Sequence, residues 1–335
     1  MSGTMRAATV VDHNTVEVRD FPMPEVKKFG DLVVKMHRAS ICGSDVHVAW
    51  HGFLNPEAQG KPGYPGHEGV GEVVQTLSPE YKVGDMVLTV PVGNVGGCFA
   101  EYQLITDKQV VPVPAGADLD RILMAQQYGT TLFSMRMIWP QIGNTGKKNN
   151  VAAVIGAGSA GLFFMQQALL LGFENIVISD LNADRLAVAK NIGASHVVHA
   201  PQESFVDKVM EVTNGEGADL VIEAAGYDSL RADAVHAVRK FGTVGYFGFP
   251  EKPGDVPFPS AIAFRKIARI QWVGGTQSEP GLVAFRDAVR HIHEGLINVG
   301  YCTESHFDLE DAPKAFEIAR DQGQGKVKLI LDLVK

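Results

Sequence analysis

A glycine-rich stretch in the second half of the chain places the strongest constraint on the fold. Residues 151–155 read V-A-A-V-I, then come Gly156, Gly158 and Gly161, and the apolar run LFFMQQALLL follows. This order predicts a strand, a tight turn and a helix. A lone G-x-G-x-x-G is weak evidence because glycine-rich turns are common. The strand before it and the helix after it are the context that a phosphate-binding turn requires.

The three glycines have separate physical roles in such a turn. Gly156 permits the tight turn, Gly158 lets a pyrophosphate approach the backbone, and Gly161 allows the helix to pack closely on the strand. The phosphates are expected at the amino end of the helix, where Ser159 and Ala160 lie, because the free backbone N–H groups there attract anions. The stretch therefore predicts a dinucleotide-binding site.

An acidic residue follows the next strand-like run at the distance expected for ribose binding. The run I-V-I-S leads to Asp180, nineteen positions after Gly161. There a carboxylate accepts hydrogen bonds from the adenosine ribose and repels a 2′-phosphate, so NAD is expected in preference to NADP. Arg185, one helical turn further on, weakens that preference because a guanidinium can reach a phosphate. The alternative interpretation of Asp180 is a solvated strand end.

The alternation of strand and helix continues through the middle of the chain. Asn182 is a suitable helix N-cap and Gly193 a suitable helix end, which leaves H-V-V as the next strand. The remaining elements are strand-like runs at 219–226, 242–248 and 270–275 and helical stretches near 204–213 and 230–240. Six strands joined by helices predict an α/β fold with a doubly wound parallel sheet.

The first part of the chain has a different pattern, with short β-type runs broken by proline and glycine over residues 5–125. This predicts a β-rich, barrel-like domain. It contains C-G-S-D-V-H from Cys42 and, twenty-five residues on, G-H-E with His67 and Glu68. Cysteine, histidine and carboxylate are the ligands of a catalytic zinc that keeps one position open. Taken singly, each residue is better explained without a metal: Cys42 as a small buried residue, His67 as a core histidine and Glu68 as a surface charge.

Taken together, these patterns resemble the medium-chain, zinc-dependent alcohol/polyol dehydrogenases over nearly the whole chain. The matching motifs are C-G-S-D-x-H from Cys42, G-H-E from Gly66, G-D-x-V at 84–87, F-A-E-Y at 99–102 and the glycine-rich stretch from Val151. The resemblance implies a GroES-like catalytic domain at 1–128 and 275–335. It also implies an inserted Rossmann NAD-binding domain at 129–274.

The resemblance also implies a set of zinc ligands, with one departure. Cys42 and His67 match the first two ligands, Glu68 matches an adjacent carboxylate that binds zinc in some members, and Asp45 matches the acid that orients the ligand histidine. The remaining ligand falls at Gln127, with its neighbour Gln126 as the other option. An amide is a neutral, weaker ligand, so the metal is expected to depend on Glu68 or to keep only a loose contact with Gln127.

Charge distinguishes the two ligand sets. Cys42 and Glu68 together neutralise Zn²⁺, whereas Cys42, His67 and Gln127 leave one positive charge and a stronger Lewis acid. Members that handle sugars and polyols often lack a second cysteine here, which favours a polyhydroxylated substrate. The family's structural zinc needs four close cysteines, and the corresponding stretch has only Cys98. One zinc per chain is therefore expected.

The resemblance implies a mechanism and further site residues. Zinc lowers the pKa of the substrate hydroxyl, and a hydride passes to the nicotinamide. Ser44 is expected to accept the proton and pass it through the cofactor ribose to His47, which exchanges it with solvent. Thr131 matches a position that packs near the nicotinamide. Trp50 and Phe53 line the substrate pocket or belong to the core.

Two other functions compete with this one. A zinc-free, NADPH-dependent quinone or enoyl reductase of the same superfamily needs neither Cys42 nor His67, and the coexistence of those residues with Ser44, His47 and Asp180 argues against it. The second alternative is a nucleotide-binding protein without catalytic activity. Only the amide of Gln127 at an expected ligand position supports it, and the complete pair of proton-transfer residues, Ser44 and His47, argues against it.

Composition narrows the partners and the compartment. Thirty basic and thirty-eight acidic residues give a net charge of −8 without a long basic run, so nucleic acid is not expected. The first residues lack a signal-peptide pattern, and the apolar segments are too short or glycine-broken to span a membrane. Three cysteines without C-x-x-C spacing indicate a reducing compartment. A cytoplasmic enzyme with a small-molecule substrate is expected, and the resemblance implies a homodimer or homotetramer.

Overall fold

The computed structural model describes residues 3–92, 97–140 and 150–334. The chain divides into two compact units, one formed by Met1–Thr130 with Gln277–Lys335 and the other by Thr131–Thr276. The polypeptide thus leaves the first unit, forms the second and returns. Within the described residues, no helix combines the length and the apolar character needed to cross a bilayer.

The first unit is rich in strands, whereas strands and helices alternate regularly in the second. The strands are β1 (Thr4–Asp12), β2 (Thr15–Pro22), β3 (Asp31–Ile41), β4 (Gly69–Thr76), β5 (Met86–Thr89), β6 (Tyr102–Thr106), β7 (Val110–Pro112), β8 (Val151–Ile155), β9 (Asn175–Asp180), β10 (His196–His199), β11 (Ala218–Glu223), β12 (Val238–Tyr246), β13 (Arg269–Trp272), β14 (His306–Asp308) and β15 (Leu329–Asp332). The helices are α1 (Gly43–Trp50), α2 (Leu119–Leu123), α3 (Ala125–Ile138), α4 (Ser159–Leu170), α5 (Ala183–Asn191), α6 (Phe205–Val212), α7 (Asp228–Ala237), α8 (Ser260–Lys266), α9 (Val283–His293) and α10 (Ala312–Arg320).

The first unit is built on a mixed sheet with the strand order β14-β15-β3-β4-β5-β7, and β6 also pairs with β3. Strands β3 and β4 are antiparallel neighbours with Ala39 opposite Gly69. Strand β15 lies antiparallel on the other side of β3 with Leu329 opposite Ile41. Because these pairings meet at the carboxyl end of β3, residues just after Ile41, just before Gly69 and just before Leu329 converge at one point.

Close packing fixes that pairing. A Cβ atom at Gly71 would lie 2.2 Å from the carbonyl oxygen of Lys35, so only glycine lets β4 approach β3 there. The core beneath the sheet includes Leu32, Met36 and Phe316, all fully buried. Truncation of a buried phenylalanine to alanine typically costs about 3–5 kcal/mol. The site residues that follow are therefore carried on a well-packed scaffold.

The second unit confirms the predicted doubly wound parallel sheet. In the described part of this unit the strands run in the order β10-β9-β8-β11-β12-β13, and every neighbouring pair is parallel. All five residues of β8 are buried, as expected for a strand that is covered on both faces. The strand order reverses between β8 and β11. In open α/β sheets, ligands bind beyond the carboxyl ends of the strands at such a reversal.

One predicted helix ends too late. The sequence pattern predicts a helix near 230–240, but α7 spans Asp228–Ala237 and β12 begins at Val238. Val238 pairs with Ala218 at the start of β11, and the register shifts before the next pair. Tertiary pairing with β11 therefore overrides a local pattern that would continue the helix.

Candidate active site

Three side chains that can bind a metal lie together in the first unit. Cys42 directly follows β3, while His67 and Glu68 directly precede β4, so the β3–β4 pairing brings them to one place. Their potential ligand atoms all lie within 4.8 Å of one another. Across the part of the chain that the structure describes, this is the one cluster of three or more histidine, cysteine or acidic side chains with that geometry.

Asp45, in the first turn of α1, contacts two of these residues at once. Its Oδ2 accepts a hydrogen bond of 2.9 Å from the Cys42 backbone N–H. Its Oδ1 lies 3.0 Å from Nδ1 of His67, and the carboxylate is almost fully buried. Since Nδ1 of His67 is occupied by Asp45, Nε2 is the nitrogen left for a metal. The hydroxyl oxygen of Ser44 lies 3.5 Å from that Nε2.

The electrostatic surroundings of His67 favour its charged form. Burial by itself disfavours the imidazolium, but the charge of Asp45 and the contact with Cys42 outweigh it and raise the pKa of His67 well above its ordinary value. A metal ion at Nε2 would displace the proton that this nitrogen holds. The same negative groups that attract the proton therefore also favour a cation.

Glu68 is held by a residue from the far end of the chain. Its buried carboxylate receives Nζ of Lys328 at 2.5 Å on Oε2, and the Ser40 hydroxyl donates to the same oxygen. Burial disfavours both charges, but their mutual attraction wins, so the pKa of Glu68 is lowered and that of Lys328 is raised. Sequence reasoning missed Lys328. The available signal was a lysine directly before the apolar run Leu329–Leu331.

The other carboxylate oxygen of Glu68 is unsatisfied. Oε1 is buried and has no hydrogen-bond partner among the residues at 3–92, 97–140 and 150–334. A buried polar atom without a partner is costly unless it binds something, and a cation is the natural partner of a carboxylate oxygen. A thiolate, an imidazole nitrogen and a carboxylate oxygen form a donor set that suits zinc with one open position. The residues present therefore fit a zinc ion.

The amide of Gln127 has its nitrogen, and not its oxygen, on the side of Cys42. Gln127, on α3, is mostly buried, and its Nε2 lies 3.8 Å from Sγ of Cys42. Its Oε1 accepts a hydrogen bond of 3.3 Å from Lys328. The amide oxygen, the atom that could bind a metal, thus faces Lys328. The neighbouring Gln126 is also buried, and its amide nitrogen has no partner within the described ranges.

The residues proposed for proton transfer and substrate contact lie along α1 and the loop after it. His47 is half-buried, with its ring centroid 4.7 Å from that of His51 and 6.0 Å from that of Phe53. Trp50 instead packs on Phe316, with ring centroids 5.9 Å apart. Phe53 therefore lies beside His47, and both Phe53 and Trp50 also pack against the hydrophobic core of the first unit.

The glycine-rich turn of the second unit has the backbone that its spacing predicts. Gly156 has a φ of +98°, which favours glycine. A Cβ at Gly161 would lie 1.8 Å from the carbonyl oxygen of Gly156, so helix α4 could not pack there with any larger residue. A Cβ at Gly158 would meet nothing within 4 Å. The first turn of α4, at Ser159 and Ala160, is buried.

Asp180 ties the glycine-rich turn to the next helix. Its Oδ2 accepts a hydrogen bond of 2.7 Å from the backbone of Ala157, and its Oδ1 accepts one of 2.8 Å from Asn182. Burial lowers the pKa of Arg185 on α5, and the charge of Asp180 opposes that shift. Thr131 is fully buried, and its hydroxyl accepts a hydrogen bond of 3.0 Å from Gln167.

A buried acid at the end of β11 was also missed by sequence reasoning. Oε1 of Glu223 accepts hydrogen bonds from the backbones of Ala225 at 2.7 Å and Gly226 at 2.6 Å. Burial, only partly opposed by these bonds, raises its pKa to about 6. Ala225 lies against Gly156, so Glu223 shapes the loop that borders the glycine-rich turn. Its sequence signal was an acidic residue closing the apolar run L-V-I.

Comparisons with known proteins agree with this geometry. Residues 28–115 match the family model of the alcohol dehydrogenase GroES-like domain, and residues 160–287 match that of zinc-binding dehydrogenases. The chain is 28% identical to L-threonine 3-dehydrogenase of Bacillus subtilis, covering 98% of this chain and 99% of that protein. It is 28% identical to sorbitol dehydrogenase of the same organism, covering 94% and 93%.

A solved structure shares the fold. Galactitol-1-phosphate dehydrogenase from Escherichia coli matches with a TM-score of 0.83 at 22% identity, covering 98% of this chain and all of that one. The chain belongs to the family of zinc-type medium-chain dehydrogenases, with a GroES-like unit and a Rossmann unit. It is therefore an oxidoreductase that acts on alcohols.

Proposed function

We propose that the protein is a zinc-dependent, NAD-linked dehydrogenase of a secondary alcohol, in particular a polyol, a sugar or a related compound. The observation that carries this proposal is the cluster of Cys42, His67 and Glu68, with ligand atoms within 4.8 Å of one another. The unsatisfied Oε1 of Glu68 supports it further, because a metal ion would satisfy that buried oxygen.

These three residues would hold one zinc ion per chain. When bound, the ion supplies a Lewis acid that lowers the pKa of a substrate hydroxyl. Asp45 orients His67 by holding Nδ1, and it holds the Cys42 backbone as well. The chain has three cysteines in all, which is too few for a second, four-cysteine zinc site.

Side chains on α1 would remove the proton that the substrate loses. The hydroxyl of Ser44 lies close to Nε2 of His67, which supports a role as first proton acceptor. His47 follows three residues later and therefore lies on the same side of the helix. We assign it the exchange of the proton with solvent, because imidazole is the side chain suited to proton transfer near neutral pH. Thr131 remains a proposed neighbour of the nicotinamide.

The second unit would bind NAD, which accepts the hydride. The backbone of Gly158 leaves open space for a pyrophosphate, at the amino end of α4 formed by Ser159, Ala160 and Gly161. Asp180 at the end of β9 supports a preference for NAD over NADP, and Arg185 reduces the strictness of that preference.

The relatives named above support the substrate class, since one is named for threonine and another for sorbitol, both of which carry a secondary hydroxyl beside other polar groups. We further expect a homodimer or homotetramer. The mass of the purified protein in solution, measured by light scattering, would test that expectation.

The proposal is tested by metal content and by cofactor reduction across polyols, sugars, threonine and simple alcohols with NAD and with NADP. Wild-type protein is expected to contain about one zinc per chain and to reduce NAD with at least one secondary alcohol. Cys42→Ser is expected to lose both the zinc and the activity, because a serine hydroxyl is a poor replacement for a thiolate. Cys98→Ser, at a fully buried cysteine outside the cluster, is the matched control.

A metal-free protein that reduces quinones or enoyl thioesters with NADPH would contradict the proposal and support the reductase interpretation. A protein that binds NADH but turns over no substrate on the panel would support the idle nucleotide-binding interpretation.

A further inference from the structure

Lys328 is the buried cation of the proposed metal site, and no motif in the sequence assigns it a role. It enters the site because β15 pairs antiparallel with β3, which puts Lys328 beside Cys42. Its side chain is almost fully buried, and its Nζ lies 2.5 Å from Oε2 of Glu68 and 3.3 Å from Oε1 of Gln127. Each neighbour could donate an oxygen to a metal. Lys328 therefore holds one oxygen of each.

The two contacts have different consequences. Glu68 has a second oxygen, and Oε1 has no partner in the described part of the chain, so it can bind a metal while Oε2 stays with Lys328 and Ser40. Gln127 has a single oxygen, which accepts from Lys328. The side of the amide that faces Cys42 is its N–H₂ group, which is not a metal donor, so the oxygen is turned away from Cys42.

Two contacts, one at the oxygen and one at the nitrogen, determine the orientation of the Gln127 amide. Its oxygen faces the ammonium of Lys328, and its N–H₂ group faces Sγ of Cys42 at 3.8 Å. Turning the amide over would set its N–H₂ against the ammonium and its oxygen against the thiolate, which is unfavourable at both contacts. The observed orientation is thus the stable one as long as Lys328 is present.

We propose that Lys328 selects the third metal ligand, since it leaves Oε1 of Glu68 free to bind zinc and keeps Gln127 outside the coordination shell as a hydrogen-bond donor to Cys42. The inference rests on the proposed zinc site. Lys328 is a positioning residue that acts through Glu68 and Gln127. It also offsets the charge of Glu68, so that zinc with Cys42, Glu68 and Lys328 retains a single positive charge. With Lys328 present, Glu68 can bind the zinc ion without cancelling the positive charge that makes the ion a strong Lewis acid.

The test uses Zn²⁺ affinity, measured by competition with a chelator, and the absorption spectrum of the Co²⁺-substituted protein. Gln127→Ala is expected to lose less Zn²⁺ affinity than Glu68→Gln does and to keep the Co²⁺ spectrum, because it removes no ligand and, at Cys42, only a 3.8 Å contact. Glu68→Gln is expected to bind Zn²⁺ at least about tenfold more weakly. The introduced amide oxygen can still accept from Lys328 and Ser40, so this variant is expected to fold.

A second comparison isolates Lys328. Lys328→Met frees the oxygen of Gln127, so its Co²⁺ spectrum is expected to change. The double variant Lys328→Met with Gln127→Ala should lose that change, and Lys328→Arg should keep the wild-type spectrum because the cation is retained. If Lys328→Met does not fold, the comparison of Gln127→Ala with Glu68→Gln still tests the ligand choice.

The outcomes separate this inference from the proposed function. Suppose that the wild type binds zinc and that Gln127→Ala and Glu68→Gln lose it equally. That result would overturn the role of Lys328, but the proposed zinc-dependent function would stand. An unchanged Co²⁺ spectrum in a folded Lys328→Met would also overturn it. A wild-type chain that binds no zinc would overturn the proposed function and this inference together.

Discussion

Asp45 contacts both Cys42 and His67, and its carboxylate accepts from the backbone of one and lies 3.0 Å from Nδ1 of the other. The tautomer of a ligand histidine is set by the partner of its second nitrogen. An asparagine at this position can still accept from Cys42, but it would then present its N–H₂ group to Nδ1. The histidine would be driven to carry its proton on Nε2, the nitrogen needed for the metal.

Asp45→Asn is accordingly expected to weaken Zn²⁺ binding by about 10–100-fold, the usual effect of losing the partner of a ligand histidine. Chelator competition at neutral pH measures the effect. Asp12→Asn, which removes an exposed carboxylate of the same unit, should bind Zn²⁺ as the wild type does. Equal affinities for Asp45→Asn and wild type would show that Asp45 does not orient the ligand.

Single residues differ in how far the sequence reveals them. Cys42, Asp45 and His67 stand in compact motifs, and the pairing of β3 with β4 explains why motifs twenty-five residues apart meet. Lys328 is far from them in sequence and reaches them through the β15–β3 pairing. Its local signal, a lysine directly before an apolar run, could not place it at this site. The amide orientation of Gln127 was equally hidden, since it depends on Lys328.

Two glycines in the turn between β8 and α4 are expected to have different roles: Gly161 in packing and Gly158 in cofactor binding. Gly161→Ala would force a Cβ against the carbonyl oxygen of Gly156, whereas Gly158→Ala meets no protein atom within 4 Å. Gly161→Ala is expected to lower the free energy of unfolding by about 1–3 kcal/mol, the usual cost of overpacking. Gly158→Ala should keep wild-type stability.

The affinity for the cofactor is expected to depend on Gly158. Gly158→Ala should weaken NADH binding by about tenfold, or about 1.4 kcal/mol, because the added methyl group occupies space that a pyrophosphate needs. Thermal unfolding and fluorescence titration with NADH measure the two effects. A stable Gly158→Ala variant with wild-type affinity for NADH would contradict the binding role of this turn.

The loop after β11 should make the stability of the second unit depend on pH. The pKa of Glu223 is raised from 4.5 to about 6 in the folded chain, so the folded state keeps its proton longer than the unfolded state does. The stabilisation is fully present below the lower value and is lost as pH rises through the higher one. For a shift of this size the loss amounts to about 2 kcal/mol.

Glu223→Gln should remove this dependence, because the amide stays neutral and its oxygen can still accept from Ala225 and Gly226. Relative to wild type, its free energy of unfolding is expected to rise by about 2 kcal/mol between pH values of about 4 and about 7.5. Urea unfolding at several pH values measures the difference. Parallel pH profiles for the two proteins would count against a raised pKa of Glu223.

The fold class was accessible from sequence because its signals are local and repeated. Each strand of the second unit is a short apolar run with a helix after it, and right-handed crossovers leave few ways to arrange such units. The helix predicted near 230–240 ends earlier, at Ala237, because the start of β12 is set by pairing with β11. Local patterns thus identify the elements, and pairing between distant strands sets some of their ends.

For the whole molecule, the position of β15 has a consequence for the order of events during translation. Strand β4 ends at Thr76 and β15 begins at Leu329, with the entire second unit encoded between them. At about 5–20 residues per second, a ribosome needs tens of seconds to cover that interval. Strands β8 to β13 can complete their sheet within it, while the segment of β3 that β15 will cover waits as an open edge.

That open segment leads directly into Cys42, and the lysine that pairs with Glu68 arrives with the covering strand. Until then the nascent chain carries the Cys42 thiol and the Glu68 carboxylate without the Lys328 ammonium. The later-encoded unit is therefore able to fold first, and the cluster of Cys42, His67 and Glu68 gains its buried cation only when β15 pairs with β3.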